Sequence, residues 1–120
     1  METKKILIAE DDLMMLSLLT FRLKKEGYDV IKATNGRDAI TKIKFELPDL
    51  IVTDIMMPFV SGLELIEFVK NEYKKELPII IISAAGEEQT VLEAFDLGAD
   101  DFISKPFSPN ELVVRIKKIL

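Results

Sequence analysis

Short runs of consecutive apolar residues recur along the chain, and each run ends at a polar residue. Residues 6–9, 50–53 and 79–82 form three such runs without polar alternation. Unbroken runs of this length are typical of strands that are buried on both faces of a parallel sheet. Residues 28–33 alternate in the manner of an edge strand, and residues 101–104 follow as a last short strand. The pattern therefore predicts five strands.

The segments between these runs have helical periodicity and carry residues that begin or end helices. Helix amino termini can be capped within the acidic run Glu10-Asp11-Asp12, at Asn35 and at Ser108, whereas Gly27 and Gly98 are suited to end helices. The predicted helices run from 12 to about 25, from 36 to about 46, from 63 to 73, from 87 to 97, and from 108 onward. The positions assigned to their apolar faces are Leu16, Leu19, Thr20, Leu23, Ala39, Ile40, Ile43, Leu63, Ile66, Val69, Val91, Leu92 and Phe95.

Strands and helices alternate throughout, without an internal repeat, a low-complexity tract or a linker. This alternation predicts the α/β class, as a doubly wound, five-stranded parallel sheet covered by five helices, a flavodoxin-like (βα)5 arrangement. The expected strand order is 2-1-3-4-5, which makes strands 1 and 3 neighbours at the switch point where such folds place their chemistry. Residues 1–120 are expected to form one domain.

Composition narrows the chemistry that this domain could perform. The chain has no cysteine and no histidine, which excludes thiol and imidazole nucleophiles, histidine bases and Cys/His zinc sites. Its net charge of -5 and its lack of a basic arm argue against direct contact with nucleic acid or an anionic membrane. Acidic residues stop the first apolar run after four positions, so neither a signal peptide nor a transmembrane helix fits, and a cytoplasmic domain is expected.

Polar side chains that follow the strand runs are Glu10, Asp11, Asp54, Ser83 and Lys105. Because the carboxyl ends of parallel strands meet at one edge of a sheet, these side chains should lie close together. Three neighbouring carboxylates repel one another unless a cation intervenes, and oxygen-only ligands with water favour Mg²⁺. With Lys105 and one such ion added, the charges cancel and an anion could be accepted. Asp54 would then be a nucleophile that forms an acyl phosphate.

Four separated motifs resemble the receiver domain of two-component response regulators, in that family's order and spacing over essentially the whole chain. They are Ile-Leu-Ile-Ala-Glu-Asp-Asp at 6–12, Asp-Ile-Met-Met-Pro at 54–58, Ser83-Ala84, and Gly-Ala-Asp-Asp-Phe-Ile-Ser-Lys-Pro-Phe at 98–107. Each motif is weak when taken singly, because an acid after a strand is more often a helix cap than a metal ligand. Such ordinary roles, as helix caps or turns, do not explain why all four motifs occur together in this order.

The resemblance implies that Asp54 accepts a phosphoryl group from a sensor histidine kinase. It also implies that Asp11, Asp54 and the Met56 backbone carbonyl bind Mg²⁺ directly, with Mn²⁺ as a substitute, and that Glu10 does so through water. Lys105 is expected to reach the phosphoryl oxygens. These assignments follow from the family's pattern and not from periodicity or composition.

The resemblance further implies a switch made of Ser83 and Phe102, which respond to the phosphoryl group on the acceptor. Ser83 replaces the commoner threonine and keeps its hydroxyl. Phe102 replaces the frequent tyrosine, so only the packing part of the switch remains, without a phenolic hydroxyl. The Lys105–Pro106 bond is expected to be cis, with which a proline at 106 is compatible.

Two partner surfaces are also implied. The kinase is expected to dock on Met14, Met15, Leu18 and Pro106, although the methionine stripe of the first helix could instead pack under a loop. The carboxyl-terminal segment resembles regulators whose output is a winged-helix DNA-binding domain and which pair through helix 4, strand 5 and helix 5. Val91 and Glu93 stand where basic partners would be expected in such a homodimer.

Other classes of function use the same fold. A Mg²⁺-dependent phosphohydrolase with an aspartyl nucleophile commonly has a second acid two residues further on, where this chain has Met56. A phosphate-independent interaction module would usually have lost the acceptor, the metal-binding acids or the lysine. Flavin binding is disfavoured because no loop after a strand is rich enough in Ser, Thr and Gly to cradle a phosphate. The sequence thus predicts a phosphorylation-controlled switch and not a turnover enzyme.

Overall fold

Strands and helices alternate in the computed structural model of the chain, which describes residues 3–73 and 77–120. The strands are β1 (Lys5–Ala9), β2 (Asp29–Ala33), β3 (Leu50–Asp54), β4 (Ile79–Ser83) and β5 (Asp101–Ser104). The helices are α1 (Leu13–Lys25), α2 (Gly36–Glu46), α3 (Gly62–Tyr73), α4 (Glu88–Leu97) and α5 (Pro109–Ile119). The predicted elements are thus confirmed, with boundaries that differ by a residue or two.

The strands form a parallel sheet in the order β2-β1-β3-β4-β5, as predicted. Ala9 of β1 pairs with Thr53 of β3, so that Glu10 and Asp54, one residue further on, emerge side by side. Asp54 and Ser83 are the last residues of their strands and do not follow them, because they still pair with Ile82 and Ser104. The sheet therefore fixes the spacing of the polar groups at its carboxyl edge.

The core is divided by the sheet into two clusters, because successive strand side chains point to opposite faces. Ile6 and Ile8 pack with buried residues of α1 and α5, whereas Leu7 and Ala9 pack with those of α2, α3 and α4. The central strands are buried on both faces, which explains their uninterrupted apolar sequence.

Most of the predicted helix faces are correct, but α4 departs from its prediction. Leu16, Leu19, Thr20 and Leu23 are buried as expected. Only Val91 and Ala94 are buried in α4, so of its three predicted apolar positions Leu92 and Phe95 remain exposed. In α2 and α3, Ile40 and Leu63 are only half-buried, and Leu65, which was not predicted, is fully buried.

The loop after β3 is packed tightly against the first turn of α2. A Cβ atom at Gly36 would collide with the backbone carbonyl of Val60, so no larger residue fits there without movement of the loop. Phe59 has a φ of 70°, which is uncommon for a residue other than glycine, and the Arg37 guanidinium lies 4.5 Å from its ring centroid. The loop that follows β3 is therefore held from the α2 side.

Within residues 3–73 and 77–120, no helix combines the length and the apolar character needed to cross a membrane.

Candidate functional site

Three carboxylates converge where β1 and β3 end. One carboxylate oxygen from each of Glu10, Asp11 and Asp54 lies within 4.8 Å of the others. Glu10 is completely buried, Asp54 is 6% exposed, and Asp11 faces solvent. We call these three residues the acidic pocket, and its open side is the one that carries Asp11.

Local hydrogen bonds show that the residue next to the pocket acids, Asp12, has a different role as a helix cap. Asp12 caps α1, since its Oδ1 accepts hydrogen bonds from the backbone N–H groups of Met14 (3.1 Å) and Met15 (3.2 Å). The Asp12 N–H donates in turn to Glu10 Oε2 at 3.1 Å. Asp12 thus satisfies the helix terminus, and the carboxylate of Asp11 remains available to the pocket.

Lys105 brings a positive charge into the acidic pocket from the loop after β5. Its Nζ donates a hydrogen bond to Asp54 Oδ2 at 3.1 Å and lies 3.6 Å from Glu10 Oε1. Its backbone N–H donates to the Ser83 carbonyl at 2.7 Å, and the Lys105–Pro106 bond is cis, as expected. Burial lowers the pKa of Lys105, but the charges of Asp54 and Glu10 outweigh burial and raise that pKa above its ordinary value.

Glu10 is the most perturbed acid of the pocket. Its burial, together with the charge of Asp54, raises its pKa to about 7, although the Asp12 N–H and Lys105 act in the opposite direction. Among the described residues, Glu10 Oε1 is a buried side-chain atom without a hydrogen-bond partner, and its 3.6 Å separation from Lys105 Nζ is too long to provide one. A buried, unpaired acceptor beside two other carboxylates fits a hard divalent cation with oxygen ligands.

The raised pKa of Glu10 predicts an unusual pH dependence of stability in the metal-free protein. The unfolded chain releases the Glu10 proton near pH 4.5, whereas the folded chain keeps it until about pH 7. Stability relative to a Glu10→Gln variant should therefore be full below the lower value and fall as the pH rises through the higher one, by up to about 3 kcal/mol. Urea unfolding in EDTA across this range measures the difference, and parallel pH profiles for the two proteins would contradict it.

Ser83 and Phe102 lie on the side of the site that faces α4. Ser83 is buried at the end of β4, while Phe102 of β5 is 36% exposed. The Phe102 ring stands edge-on to Phe95 of α4, with 5.9 Å between ring centroids and 89° between ring planes. Both rings line an apolar groove of about 490 Å³, the α4 groove, which extends to Ser83 and Lys105. The helical pattern counted Phe95 among the apolar positions of the helix and gave no sign of its contact with Phe102.

The residues expected to dock a kinase are distributed around the same edge. Met14 and Leu18 are exposed on α1. Met15 is half-buried against the α1–α5 cluster, so the expectation of a uniformly exposed stripe is wrong at this residue. Pro106 follows Lys105 across the pocket, and Met56 lies exposed two residues beyond Asp54.

Together, the 2-1-3-4-5 sheet and the acidic pocket with its lysine define an α/β domain whose polar site lies at the carboxyl edge of its sheet. A family profile described as the response regulator receiver domain matches residues 6–117. The chain belongs to this family, which confirms the resemblance seen in its motifs. Receiver domains receive their phosphoryl groups from histidine kinases, and they are signalling domains and not metabolic enzymes.

A curated relative and solved structures support the same conclusion. The alkaline phosphatase synthesis transcriptional regulatory protein PhoP of Bacillus subtilis is 42% identical over 117 residues, which are 98% of this chain and 48% of the relative. The chain thus spans about half the length of that protein. Its likeness to a regulator of transcription agrees with the subfamily that the carboxyl-terminal segment predicts.

The fold recurs closely in two solved structures. The chemotaxis response regulator CheY4 of Vibrio cholerae has a TM-score of 0.92 and 27% identity, and the match covers 99% of this chain and 100% of that one. A CheY-like receiver domain protein from Methanospirillum hungatei has a TM-score of 0.93 and 30% identity, with 98% and 94% covered. The predicted flavodoxin-like fold is confirmed.

Proposed function

We propose that Asp54 is the phosphoryl acceptor of this receiver domain and that its phosphorylation controls an output partner or domain. The observation that carries the proposal is the acidic pocket, in which the Asp54 carboxylate lies within 4.8 Å of two other acids and 3.1 Å from Lys105 Nζ. Asp54 is nearly buried but lies beside the open side of the pocket, where a donor could reach it. A buried carboxylate in such a setting is suited to nucleophilic attack.

The cation is proposed to be Mg²⁺, with Mn²⁺ as a substitute, held by Glu10, Asp11, Asp54 and the backbone carbonyl of Met56. Bound there, it would neutralise negative charge on the transferring phosphoryl oxygens. Support for the three side chains comes from their oxygen-only chemistry and from the unpaired Glu10 Oε1. Met56 is included on the family resemblance alone.

Each protein group has its own role in the transfer of the phosphoryl group. A carboxylate oxygen of Asp54 forms a bond to phosphorus while the bond to the donor's histidine nitrogen breaks, and the electron pair of that bond stays on the imidazole. Lys105 Nζ, which already donates to Asp54 Oδ2, is placed to donate to the phosphoryl oxygens as their charge develops. Ser83 offers a hydroxyl on the α4 side. The same groups would support phosphorylation by small donors and later hydrolysis, so the domain acts on itself and is not a turnover enzyme.

The output is proposed to pass through the face formed by α4, β5 and α5. Ser83 and Phe102 border this face, and a change in their packing would alter the surface that a partner contacts. In a longer transcriptional regulator, this face could also pair two copies of the domain. Arg115 Nη1 already binds Asp101 Oδ1 at 2.8 Å within one chain, so pairing through these charges would require that they be shared.

The test of the function is a phosphorylation assay on the whole chain. Incubation with Mg²⁺ and acetyl phosphate should add the mass of one phosphoryl group, and EDTA should prevent the addition. Absence of an adduct under conditions in which Mg²⁺ binds would overturn the proposal. Rapid turnover of many phosphomonoesters would instead favour the phosphohydrolase reading, which the apolar side chain of Met56 disfavours.

Kinase docking is proposed on the exposed part of α1 and on Pro106. Leu18→Glu places a charge in this apolar surface, and we expect phosphotransfer from the cognate kinase to fall about tenfold or more, because the charge would be desolvated at the centre of the contact. Phosphorylation by acetyl phosphate should not change, since Leu18 lies outside the acidic pocket. Phe45→Glu on α2, where the side chain is 83% exposed, is the matched control. Equal kinase rates for all three proteins would refute this docking surface.

A further inference from the structure

The edge-on contact between Phe95 and Phe102 links α4 to β5 above the α4 groove. The ring centroids are 5.9 Å apart and the ring planes are nearly perpendicular, at 89°. This is a favourable arrangement for two aromatic rings, because the positive edge of one meets the negative face of the other. Both side chains remain partly exposed, Phe95 at 38% and Phe102 at 36%. Neither ring is therefore held in place by complete burial.

The α4 groove offers Phe102 an alternative position. It measures about 490 Å³ and is lined mainly by apolar side chains, which include Ala84, Val91 and Leu92. Pockets of this volume take drug-sized ligands, so a phenyl ring can be accommodated. Phe102 has no hydroxyl group, so its complete burial would leave no polar group unsatisfied. The hydrophobic effect alone would favour the buried position.

The Phe102 side chain nevertheless stays 36% exposed at the wall of the α4 groove, and its contact with Phe95 opposes deeper entry. We propose that Phe95 is a positioning residue of the switch, whose ring holds Phe102 in the outward position until the acceptor is phosphorylated. This inference rests on the proposed function, since it concerns the regulation of the same site. The groove ends at Ser83 and Lys105, so the position of Phe102 and the state of the acceptor are coupled through shared neighbours.

The direction in which Phe95 affects the position of Phe102 can be predicted. If Phe95 stabilises the outward position, its removal increases the inward population before any phosphoryl group is present. If the inward state is the one that reacts, the rate of phosphorylation by a small donor should rise with the inward population. An aromatic pair of this kind corresponds to a population shift of about three- to tenfold.

The test uses a tryptophan reporter and the natural chain in parallel. The chain contains no tryptophan, so Phe102→Trp gives a single reporter at the switch. Combined with Phe95→Leu, which keeps an apolar side chain but removes the ring, the reporter should emit at shorter wavelength without any phosphodonor. Phe95→Tyr should restore the emission of the Phe95 protein. In the natural Phe102 background, Phe95→Leu should be phosphorylated by acetyl phosphate about three- to tenfold faster, and Phe95→Tyr should match wild type.

The matched control is Phe45→Leu, at an exposed phenylalanine on α2, which should change neither readout. Unchanged emission and an unchanged or slower rate in Phe95→Leu would overturn the proposal. A shift of the tryptophan emission that is seen only at concentrations at which light scattering detects a dimer would also overturn the proposal, because Phe95 would then act as a dimer contact. Failure of the wild-type protein to be phosphorylated would overturn the proposed function instead, while the emission would still report whether Phe95 holds residue 102 outward.

Discussion

Asp54→Asn should abolish the phosphoryl adduct that forms with acetyl phosphate and Mg²⁺. The amide is nearly isosteric with the carboxylate, but it is a very poor nucleophile and cannot form an acyl phosphate. We therefore expect no adduct in the intact mass spectrum under conditions in which the wild-type protein is extensively modified. The variant should remain folded, because the substitution also relieves repulsion between Asp54 and the buried Glu10.

Asp12→Asn is the matched control for this experiment. Asp12 lies next to the pocket in sequence, but its Oδ1 caps α1, and asparagine caps helices about as well as aspartate. This variant should keep both its stability and its adduct. An adduct that persists in Asp54→Asn would refute the acceptor assignment, and a mass spectrum of peptides would then locate the modified side chain.

Lys105→Met should slow phosphorylation by about 100-fold, the magnitude typical for the loss of one group that stabilises developing negative charge. Methionine keeps an unbranched apolar stem and removes the ammonium group that lies 3.1 Å from Asp54 Oδ2. Mg²⁺ affinity should rise at the same time, because the three carboxylates lose a competing positive charge. Calorimetric titration with Mg²⁺ and the rate of adduct formation measure the two effects.

Slower phosphorylation together with tighter Mg²⁺ binding would show that Lys105 acts in catalysis and that the variant has not simply lost stability. A variant that was merely destabilised would lose both metal binding and phosphorylation. Lys70→Met provides the same chemical change at a lysine that is ion-paired with Asp100 at 3.3 Å. Asp100 also accepts a hydrogen bond from the N–H of Ile79, the first residue of β4, so this pair lies at the opposite edge of the sheet from the acidic pocket, and the variant should alter neither readout. A wild-type phosphorylation rate in Lys105→Met would exclude the role proposed for this lysine.

Much of the fold could be predicted because the strands are buried on both faces and the helices are punctuated by strong signals. Asp12, Asn35 and Ser108 cap helices as their side chains suggest, and parallel strands bring their carboxyl ends to one edge. The convergence of Glu10 and Asp54 follows from the strand order alone, once β1 and β3 are neighbours. The prediction that these polar residues lie close together therefore depended on the order of the strands.

The errors arise where a pattern does not determine which neighbour a residue packs against. In α4, Leu92 and Phe95 fit an apolar stripe, but the helix buries only Val91 and the small Ala94, so hydrophobicity overstated its interior face. The complete burial of Glu10 was also not predicted, because it depends on contacts from Asp12 and Lys105 that lie outside its own strand. Phe59 adopts a left-handed conformation that its sequence gives no reason to expect.

The division of the core by the sheet has a consequence for how such domains diverge. The side chains that pack with α1 and α5 and those that pack with α2, α3 and α4 belong to separate clusters. Substitutions in one cluster need compensation mainly within that cluster, since residues without shared contacts contribute independently to stability. A chimaera that exchanges all of one cluster with a relative should thus preserve packing better than one that exchanges a contiguous half of the chain. The α1 side, on which kinase docking is proposed, could accordingly change its core without disturbing the packing of α4.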